Sequence, residues 1–381
     1  MSIKVLIGAD ICPTKSNNEL FAKADIKALL GEELQSLLHA ADYTVFNLET
    51  PLTDRLSPIA KCGPCLAAPT VTINGLKAIN PHFFTLANNH ILDQDVQGLQ
   101  NTEDVLKKAG IAYAGVGKNI AQTARPHIAT IKGVKLGIYC CTEHEFSIAT
   151  DNTPGANPYD PLTSFDAVRE LAKQCDFVLV LYHGGKEHYR YPSPQLQRVF
   201  RKFAECGAGL VIAQHTHCIG CMEKYQGATL LYGQGNFLFD NSSSEYWLTN
   251  LLVELSIDEP TKQFSIRYIP CVKYENGTRL ATGEQAQQIL VSFNERSTQI
   301  QQNGFVFKNY QQFTSTKLNS CLQRCAGKLG NNFLVRIINR LTKYRLFQWV
   351  YSQQDLAQMQ NLAECESFRE VFLQALKGKM K

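Results

Sequence analysis

The sequence predicts an α/β fold in which β-sheets are flanked by helices, followed by a helical C-terminal extension. Apolar runs of strand length recur over residues 1–275, amphipathic stretches of helical period separate them, and the pattern then becomes helical. With 381 residues, 44% of them hydrophobic, the chain can bury one large core and carry an appendage. We therefore expect one domain over 1–275 and a helical extension over 276–381.

Seven apolar runs are the clearest predicted strands, and helical periodicity separates them. The strands are predicted at 3–8, 43–47, 83–87, 134–140, 177–182, 210–213 and 229–232, with a closing hairpin at 248–255 and 264–268. Helices are predicted at 31–40, 97–109, 164–174, 193–206, 283–302, 331–349 and 355–376. The helix at 193–206 has a typical start, with Ser193 as N-cap and Pro194 at the first helical position.

The composition and the N-terminal sequence narrow the function classes. Residues 321–381 contain ten Lys and Arg but only four Asp and Glu. Residues 1–320 are therefore slightly acidic, and their charge does not indicate nucleic-acid binding. The first ten residues lack the apolar region of a secretory signal, and no run reaches the roughly 18 apolar residues of a membrane span. We expect a cytoplasmic protein.

The thirteen cysteines are expected to be mostly reduced thiols, because an odd number cannot all pair. Two CxxC pairs occur, Cys62 with Cys65 and Cys218 with Cys221. About 150 residues separate the pairs, which is unlike zinc-ribbon spacing. Prolines around the first pair argue against a thioredoxin-like strand and helix. Neither pair is assigned a role.

Polar side chains of metal-binding type follow most of the predicted strands. They are Asp10, Asn47, Glu49, Asn88, Asn89, His90, His183, His215 and His217. The carboxyl ends of strands in α/β sheets border the crevice where ligands collect. Carboxylates, imidazoles and amide oxygens are the ligands that divalent cations prefer. Two ions about 4 Å apart can clamp a phosphate and activate water. We therefore predict a metal site at this edge.

Two local patterns bear on the geometry of this site. His215 and His217 flank one residue directly after an apolar strand, where strand alternation would place both on one face. The sequence Gly233-Gln234-Gly235 lacks the following helix of a nucleotide-binding loop. We interpret it as a turn that lets the chain pass close beneath the metal site.

Six ordered motifs resemble those of one protein family. They are Gly8-Ala9-Asp10, Asn47-Leu48-Glu49, Leu86-Ala87-Asn88-Asn89-His90 with Asp93, the heptapeptide from His183 to Tyr189, Gln214-His215-Thr216-His217, and Gly233-Gln234-Gly235-Asn236-Phe237. The chain resembles the CapA family of bacterial capsule and poly-γ-glutamate biosynthesis over roughly residues 3–240. That family is similar in fold to calcineurin-like metallophosphoesterases. The resemblance implies their layered fold and a metal-dependent, phosphoesterase-like hydrolytic site used in making a surface polymer.

The resemblance also implies roles for individual residues. Asp10 and His217 would bind a first metal, and Glu49 would bridge both metals. Asn89, His183 and His215 would complete the second. The implied cofactor is one or two divalent ions of manganese, zinc or iron. His90 would be the general acid, oriented by Asp93.

The chain departs from the implied pattern at three positions. Cys12 stands where many metallophosphoesterases have a histidine, so the first metal lacks one ligand. Cys12, His144 or His188 could supply it, and the sequence does not choose among them. Ala9 separates Gly8 from Asp10, where the family commonly has Gly directly before Asp, and Asp95 stands where it usually has glycine.

A cationic and aromatic cluster follows His183 and suits an anionic substrate, although a solvated loop is an equal interpretation. The predicted substrate-binding residues are Asn47, Lys186, Glu187, His188, Tyr189 and Asn236. The implied partners are an anionic polymer or a phosphorylated or lipid-linked precursor, and capsule-synthesis machinery at the inner membrane surface. No nucleic acid is expected.

Alternatives remain open for the C-terminal helices and for the function. The helix at 331–349 combines apolar and basic residues, so it either lies on an anionic membrane or packs on the main domain. A cytoplasmic protein peripheral on the membrane is therefore one alternative. The protein would be a hydrolase, a non-catalytic scaffold or polymer-binding component, or a metal-dependent amide or ester hydrolase.

Overall fold

The computed structural model describes residues 2–239 and 244–379, in which two β-sheets pack face to face and helices cover their outer faces. The strands are β1 (Ser2–Ile11), β2 (Tyr43–Leu48), β3 (Phe83–Thr85), β4 (Ala112–Ala114), β5 (Val116–Gly117), β6 (His127–Ile131), β7 (Val134–Thr142), β8 (Gly155–Ala156), β9 (Phe177–His183), β10 (Leu210–Gln214), β11 (Met222–Tyr225), β12 (Ala228–Leu231), β13 (Asn236–Leu238), β14 (Thr249–Asp258), β15 (Phe264–Tyr274) and β16 (Gly277–Leu280).

The helices follow the same chain order, with short 3₁₀ turns at Thr70–Thr72 and Glu245–Trp247. They are α1 (Asn18–Lys23), α2 (Ile26–His39), α3 (Ile73–Ala78), α4 (Asp95–Ala109), α5 (Ile120–Thr123), α6 (Ser164–Ala172), α7 (Pro194–Glu205), α8 (Gly283–Gln299), α9 (Phe305–Cys325), α10 (Gly327–Asn331), α11 (Phe333–Leu341), α12 (Leu346–Val350), α13 (Gln353–Glu364) and α14 (Glu366–Lys379).

Both sheets contain a parallel centre. In the first sheet the order is β16-β15-β14-β1-β2-β3-β4, with β13 also pairing with β1. The strands from β1 to β4 run parallel, and those from β14 to β16 are antiparallel. The second sheet has the order β11-β12-β10-β9-β7-β6 and is parallel from β12 to β7. Parallel pairing aligns the carboxyl ends of neighbouring strands at one edge of each sheet.

Strand alternation distributes the apolar residues of β1 between two cores. Val5 and Ile7 belong to the core between the sheets, together with residues of β7, β9 and β10. Leu6 faces the opposite way and packs in the core that includes Leu34 of α2. Helix α7 covers the outer face of the second sheet with side chains such as Phe203. Packing in these cores therefore holds the two sheets against each other and against their helices.

The expectation of an α/β fold with sheets flanked by helices and a helical C-terminal region is confirmed. The predicted strands and the helices before residue 283 all correspond to observed elements, with shifts at their ends. Helix α7 has the expected start, because the Ser193 side chain accepts a hydrogen bond from Leu196 N at 3.1 Å and Pro194 is the first helical residue.

The predictions for the C-terminal helices were partly wrong. The single helix predicted over 331–349 is divided, because Lys343 and Tyr344 adopt positive φ values of 51° and 61° between α11 and α12. The helix predicted over 355–376 is interrupted at Cys365, whose backbone is extended. Helix α9 was not predicted. The spacing of apolar residues predicts that a segment is helical, but it does not show where the backbone breaks within that segment.

The chain divides into two compact units, Met1–Val306 and Phe307–Lys381. Helix α8 belongs to the first unit, where it contacts β11 and β15. The domain division at 275/276 stays a prediction. None of the helices within the described residues is both long and apolar enough to cross a membrane.

The turn before β13 brings the chain close to β1. Gly233 and Gly235 have φ values of 135° and 81°, which favour glycine. The amide nitrogen of the Gln234 side chain donates to Ile7 O at 2.9 Å and to Leu251 O at 3.1 Å. These bonds hold the turn across β1 and β14, and Asn236 then pairs with Asp10 in the β1 ladder.

Gly235→Ala should destabilise the protein more than Gly227→Ala. Both glycines have similar φ values, 81° and 84°, but a Cβ atom at Gly235 would lie 2.6 Å from Thr249 O, whereas one at Gly227 meets nothing within 4 Å. We expect the difference in unfolding free energy to be about 1–3 kcal/mol, since crowding adds to a shared backbone strain. Urea denaturation measures it; equal losses would contradict the close approach.

Candidate metal centre

Parallel strands from both sheets deliver polar side chains to one place. Asp10 of β1 lies beside Asn47 of β2, and His183 at the end of β9 lies beside Gln214 of β10. The register between β1 and β2 shifts between Ile7 and Asp10. Such a bulge re-aims side chains near functional sites. The carboxyl ends of both sheets therefore meet around Asp10.

Asp10 is completely buried and connects the two sheets. Its Oδ1 accepts a hydrogen bond from Asn47 Nδ2 at 2.8 Å, and its Oδ2 accepts one from the backbone N–H of His215 at 3.1 Å. Asn47 Nδ2 also lies 3.2 Å from His183 Nδ1. Asn88 donates to Asn47 Oδ1 at 3.1 Å and fixes that amide. The sequence did not assign Asn88 this supporting role.

Glu49 is also completely buried, yet neither of its carboxylate oxygens accepts a hydrogen bond within the described residues. His183 Nε2 lies 3.3 Å from Oε1, but this nitrogen is paired with Asn89 Oδ1 at 3.0 Å. A buried carboxylate without partners is costly. These orphan oxygens indicate that Glu49 is placed to contact a cation.

Two groups of potential ligand atoms share Glu49. Each group has its ligand atoms within 4.8 Å of one another. The groups are Glu49 with His183 and His215, and Asp10 with Glu49 and His217. This is the sharing that the resemblance implies, and the residues fit one or two divalent cations. The buried Asp, Glu and His cluster can hold a metal ion.

Asn89 extends the first of these groups. Besides the contact between its Oδ1 and His183, its Nδ2 donates to Glu145 Oε2 at 3.0 Å. The Glu145 bond orients the amide so that its oxygen faces the histidine. Glu145 had no role in the sequence analysis, because it follows no predicted strand.

His215 and His217 converge on the site for a different reason from the one predicted. Their φ values are 81° and 54°, so they lie in a left-handed turn and not in an alternating strand. His217 Nδ1 lies 2.9 Å from Asn236 Oδ1, and its ring stacks on Trp247 with centroids 4.8 Å apart. His215 Nδ1 is buried and has no hydrogen-bond partner among residues 2–239 and 244–379. A positive φ is unfavourable for histidine, so other interactions at the site must offset its conformational energy.

Burial perturbs the titration of these groups. It raises the pKa of Asp10 to about 7, helped by repulsion from Glu49, and it raises the pKa of Glu49 to about 7 as well. Burial lowers the pKa of His183 to about 4 and holds that of His215 well below its usual value. His183 and His215 are therefore neutral near pH 7, as metal ligands must be.

His90, Asp93 and Lys61 form a buried hydrogen-bonded chain beside this centre. His90 Nδ1 lies 2.6 Å from Asp93 Oδ2, which also accepts a hydrogen bond from Leu66 N at 2.6 Å. Lys61 Nζ donates to Asp93 Oδ1 at 2.5 Å. The predicted contact between His90 and Asp93 is present. Lys61 was missed, since a lysine in a loop carries no sequence signal of burial.

The predicted substrate-binding residues occupy different environments. Lys186 Nζ lies 3.9 Å from Glu143, and exposed Glu187 approaches His215 Nε2 at 3.9 Å. His188 Nε2 accepts a hydrogen bond from Trp247 Nε1 at 3.0 Å. Tyr189 is buried, and its ring centroid lies 5.9 Å from that of Tyr191.

The sequence analysis left three candidates for the ligand missing from the first metal. All three lie outside the two groups of potential ligands. Among the described residues, neither group includes Cys12, His144 or His188. Asp95 has a φ of 58°, a conformation that glycine adopts easily and aspartate tolerates. This backbone explains why glycine suits the position.

Comparison with protein families identifies the chain's relationship. Residues 4–241 match the family described as bacterial capsule synthesis protein PGA_cap. The chain belongs to this family. The resemblance to CapA proteins is thereby confirmed, and the matched region contains every residue of the candidate metal centre.

The PGA_cap chain also matches individual relatives. PGA biosynthesis protein CapA of Bacillus subtilis (strain 168) is 28% identical over 211 residues, covering 54% of this chain and 56% of that protein. A probable polyglutamine synthesis accessory protein of Mycobacterium tuberculosis (strain ATCC 25618 / H37Rv) is 27% identical over 224 residues, covering 55% and 59%. The chain therefore matches little more than half the length of these relatives.

Solved structures also align with this PGA_cap protein. A 5'-nucleotidase precursor from Thermus thermophilus aligns over 77% of this chain and 59% of its own, with 14% identity and a TM-score of 0.40.

Lys61→Met should strongly destabilise the protein, because it leaves the fully buried Asp93 without its cationic partner. Breaking a buried pair in this way costs about 3–5 kcal/mol. Lys23→Met is the matched control, since Lys23 forms an exposed pair with Glu19. Urea denaturation compares them; a Lys61 variant as stable as the control would contradict the buried pair.

Glu49→Gln should stabilise the metal-free protein at high pH. Because the folded pKa of Glu49 is raised from 4.5 to about 7, its contribution to stability is present below pH 4.5 and is lost as pH rises through about 7. Glutamine removes that loss, so the stability difference from wild type should grow over this range in chelator. In excess Mn²⁺ the same variant should be less stable than wild type above pH 7.

Glu33→Gln, at an exposed position in α2, is the control for this experiment. It should show neither the pH-dependent gain nor the reversal by metal. If Glu49→Gln behaves like this control in both buffers, Glu49 is not a buried, metal-linked carboxylate.

Proposed function

We propose that this PGA_cap protein is a metal-dependent hydrolase of phosphoester type that acts in the synthesis of a capsule, poly-γ-glutamate or another surface polymer. The observation that carries the proposal is the buried Glu49, shared by two ligand groups and left without hydrogen bonds among the described residues. Family membership supports the biological setting. The cluster supports the chemistry.

The proposed ligands divide between two ions. Asp10, Glu49 and His217 would hold one, and Glu49, His183 and His215, together with Asn89, would hold the other. When bound, divalent manganese, zinc or iron would supply Lewis-acid activation of the phosphoryl group and of water.

The remaining chemistry belongs to His90. Its Nδ1 is engaged by Asp93, so Nε2 is the ring nitrogen available to carry a proton. We assign this proton to the leaving-group oxygen, with Asp93 fixing the ring orientation and Lys61 holding Asp93. Burial of all three side chains keeps this arrangement rigid.

The proposed substrate is anionic, such as the polymer itself or a phosphorylated or lipid-linked precursor. Lys186 supplies a half-exposed cation near the centre, and His188 with Trp247 supplies a flat polar surface beside His217. Asn47 and Asn236 would act by orienting Asp10 and His217. Polymer-synthesis machinery at the inner membrane surface is the proposed partner.

A cytoplasmic location at the membrane periphery is part of the proposal. All thirteen cysteines lie within the described residues, where no disulfide links them, which suits a reducing compartment.

The hydrolase proposal predicts bound transition metal and hydrolysis of an aryl phosphate with added Mn²⁺. His90→Ala should keep its metal but lose about 10²–10⁴-fold in kcat, because it removes the proton donor. His39→Ala is the control, since His39 is exposed at the end of α2. Elemental analysis and steady-state kinetics measure both quantities.

A folded protein that neither carries metal nor hydrolyses the phosphate would overturn the proposal. The second candidate is then a non-catalytic scaffold or polymer-binding component, favoured by the three-ligand group of Asp10, Glu49 and His217. It predicts that His90→Ala still supports polymer production in cells. Hydrolysis of an aryl ester or amide, without phosphatase activity, would instead identify a carbonyl substrate.

A further inference from the structure

Helix α11 in the C-terminal unit has its polar and apolar sides reversed relative to an ordinary surface helix. Asn339 is its buried residue, with 1% of its surface exposed. Its side chain donates to Gln323 Oε1 at 3.1 Å and accepts from Asn319 Nδ2 at 3.4 Å, both on α9. The helix therefore packs against α9 through a polar residue.

The opposite side of α11 is apolar and exposed. At 100° per residue, five apolar residues occupy an arc of about 140° whose centre lies opposite Asn339. We call these residues the C-terminal apolar face: Phe333, Leu334, Ile337, Ile338 and Leu341. Exposure reaches 74% at Phe333 and 77% at Leu341. Exposed apolar surface of this kind typically marks a site of interaction.

The charge around this face has a single sign. Residues 307–354 contain eight Lys and Arg and no Asp or Glu. Arg336 and Arg340 lie beside the C-terminal apolar face on α11, and both are exposed. After α11 come Lys343 and Arg345, followed by Trp349 on α12, whose indole is 67% exposed. An aromatic and aliphatic surface rimmed by cations matches the chemistry of an anionic lipid surface.

We propose that the C-terminal apolar face, with its flanking arginines, docks on an anionic lipid bilayer. The apolar side chains would enter the boundary between head groups and acyl chains, while Arg336 and Arg340 contact lipid phosphates. A second copy of this chain fits less well, because pairing this region with itself would bring two acid-free cationic segments together. The inference deepens the proposed peripheral location and does not depend on hydrolysis at the metal centre.

Cosedimentation with vesicles tests the docking surface, using the full-length protein. Vesicles of phosphatidylcholine alone are compared with vesicles containing phosphatidylglycerol, at physiological ionic strength. Wild type should bind the anionic vesicles at least about 30-fold more tightly, because Arg336 and Arg340 should each contribute about fivefold. Arg336→Gln with Arg340→Gln should lower the partition coefficient roughly 30-fold, because each cation near an anionic surface strengthens binding about fivefold.

Leu334→Asp with Leu341→Asp should reduce binding to the level seen with neutral vesicles. Both side chains are highly exposed, so the fold should persist, and circular dichroism checks this. Val371→Asp with Leu373→Asp is the matched control, because both are exposed apolar residues of α14 outside the acid-free segment. It should bind like wild type.

Several outcomes would overturn the docking surface. They are equal binding of wild type to both kinds of vesicle, unchanged binding by the Leu334 and Leu341 variant, or equal loss in the Val371 and Leu373 control. Absence of vesicle binding, with a dimer in sedimentation velocity that the leucine variant dissociates, would show that a second copy covers this face. Phosphatase activity is measured separately, so the vesicle-binding result can be interpreted even if the protein is not a hydrolase.

Discussion

Two carboxylates buried at the meeting point of two sheets are the constraint on which the site depends. Asp10 and Glu49 have no solvent exposure, and burial moves both pKa values to about 7. Holding them requires rigid strands on both sides, which the core between the sheets supplies. The amides of Asn47 and Asn88 then fix Asp10. The same burial that costs stability prepares the site for a cation.

The surroundings of Glu49 explain why this pocket could hold a cation. Its two oxygens and His215 Nδ1 are buried without hydrogen-bond partners among the described residues. Asp10 lies close by and raises the electrostatic cost. A divalent ion would bind the unpartnered atoms and also neutralise the repulsion between Asp10 and Glu49. A single proton would relieve only part of that repulsion. His90, Asp93 and Lys61 form a separate chain of paired groups, which needs no ion for its own stability.

The C-terminal unit follows a different physical logic. The family match ends at residue 241, whereas the C-terminal unit begins later, at residue 307. There the buried residue of α11 is an asparagine, while the apolar residues of the helix are exposed. In water this arrangement leaves apolar surface exposed, which typically marks a site of interaction. The chemistry proposed for the metal centre and the proposed attachment to a membrane thus depend on separate parts of the sequence.

The sequence by itself determined the α/β class, most strands, and the polar residues that follow them. It could do so because apolar periodicity and strand-end residues are local properties of the chain. The convergence of Asp10, Glu49 and His217 required two sheets to meet, and the turn at His215 overrode strand alternation. Lys61 and Glu145 reach the site from loops, whose paths periodicity does not encode.

Tertiary structure likewise decided which side of α11 is buried. The sequence marked the helix as amphipathic, but only packing against Asn319 and Gln323 placed Asn339 inside and the apolar residues outside. Periodicity fixes the arrangement of side chains around one helix. Which side faces a neighbour depends on hydrogen bonds between residues distant in sequence, and these exist only in the folded chain.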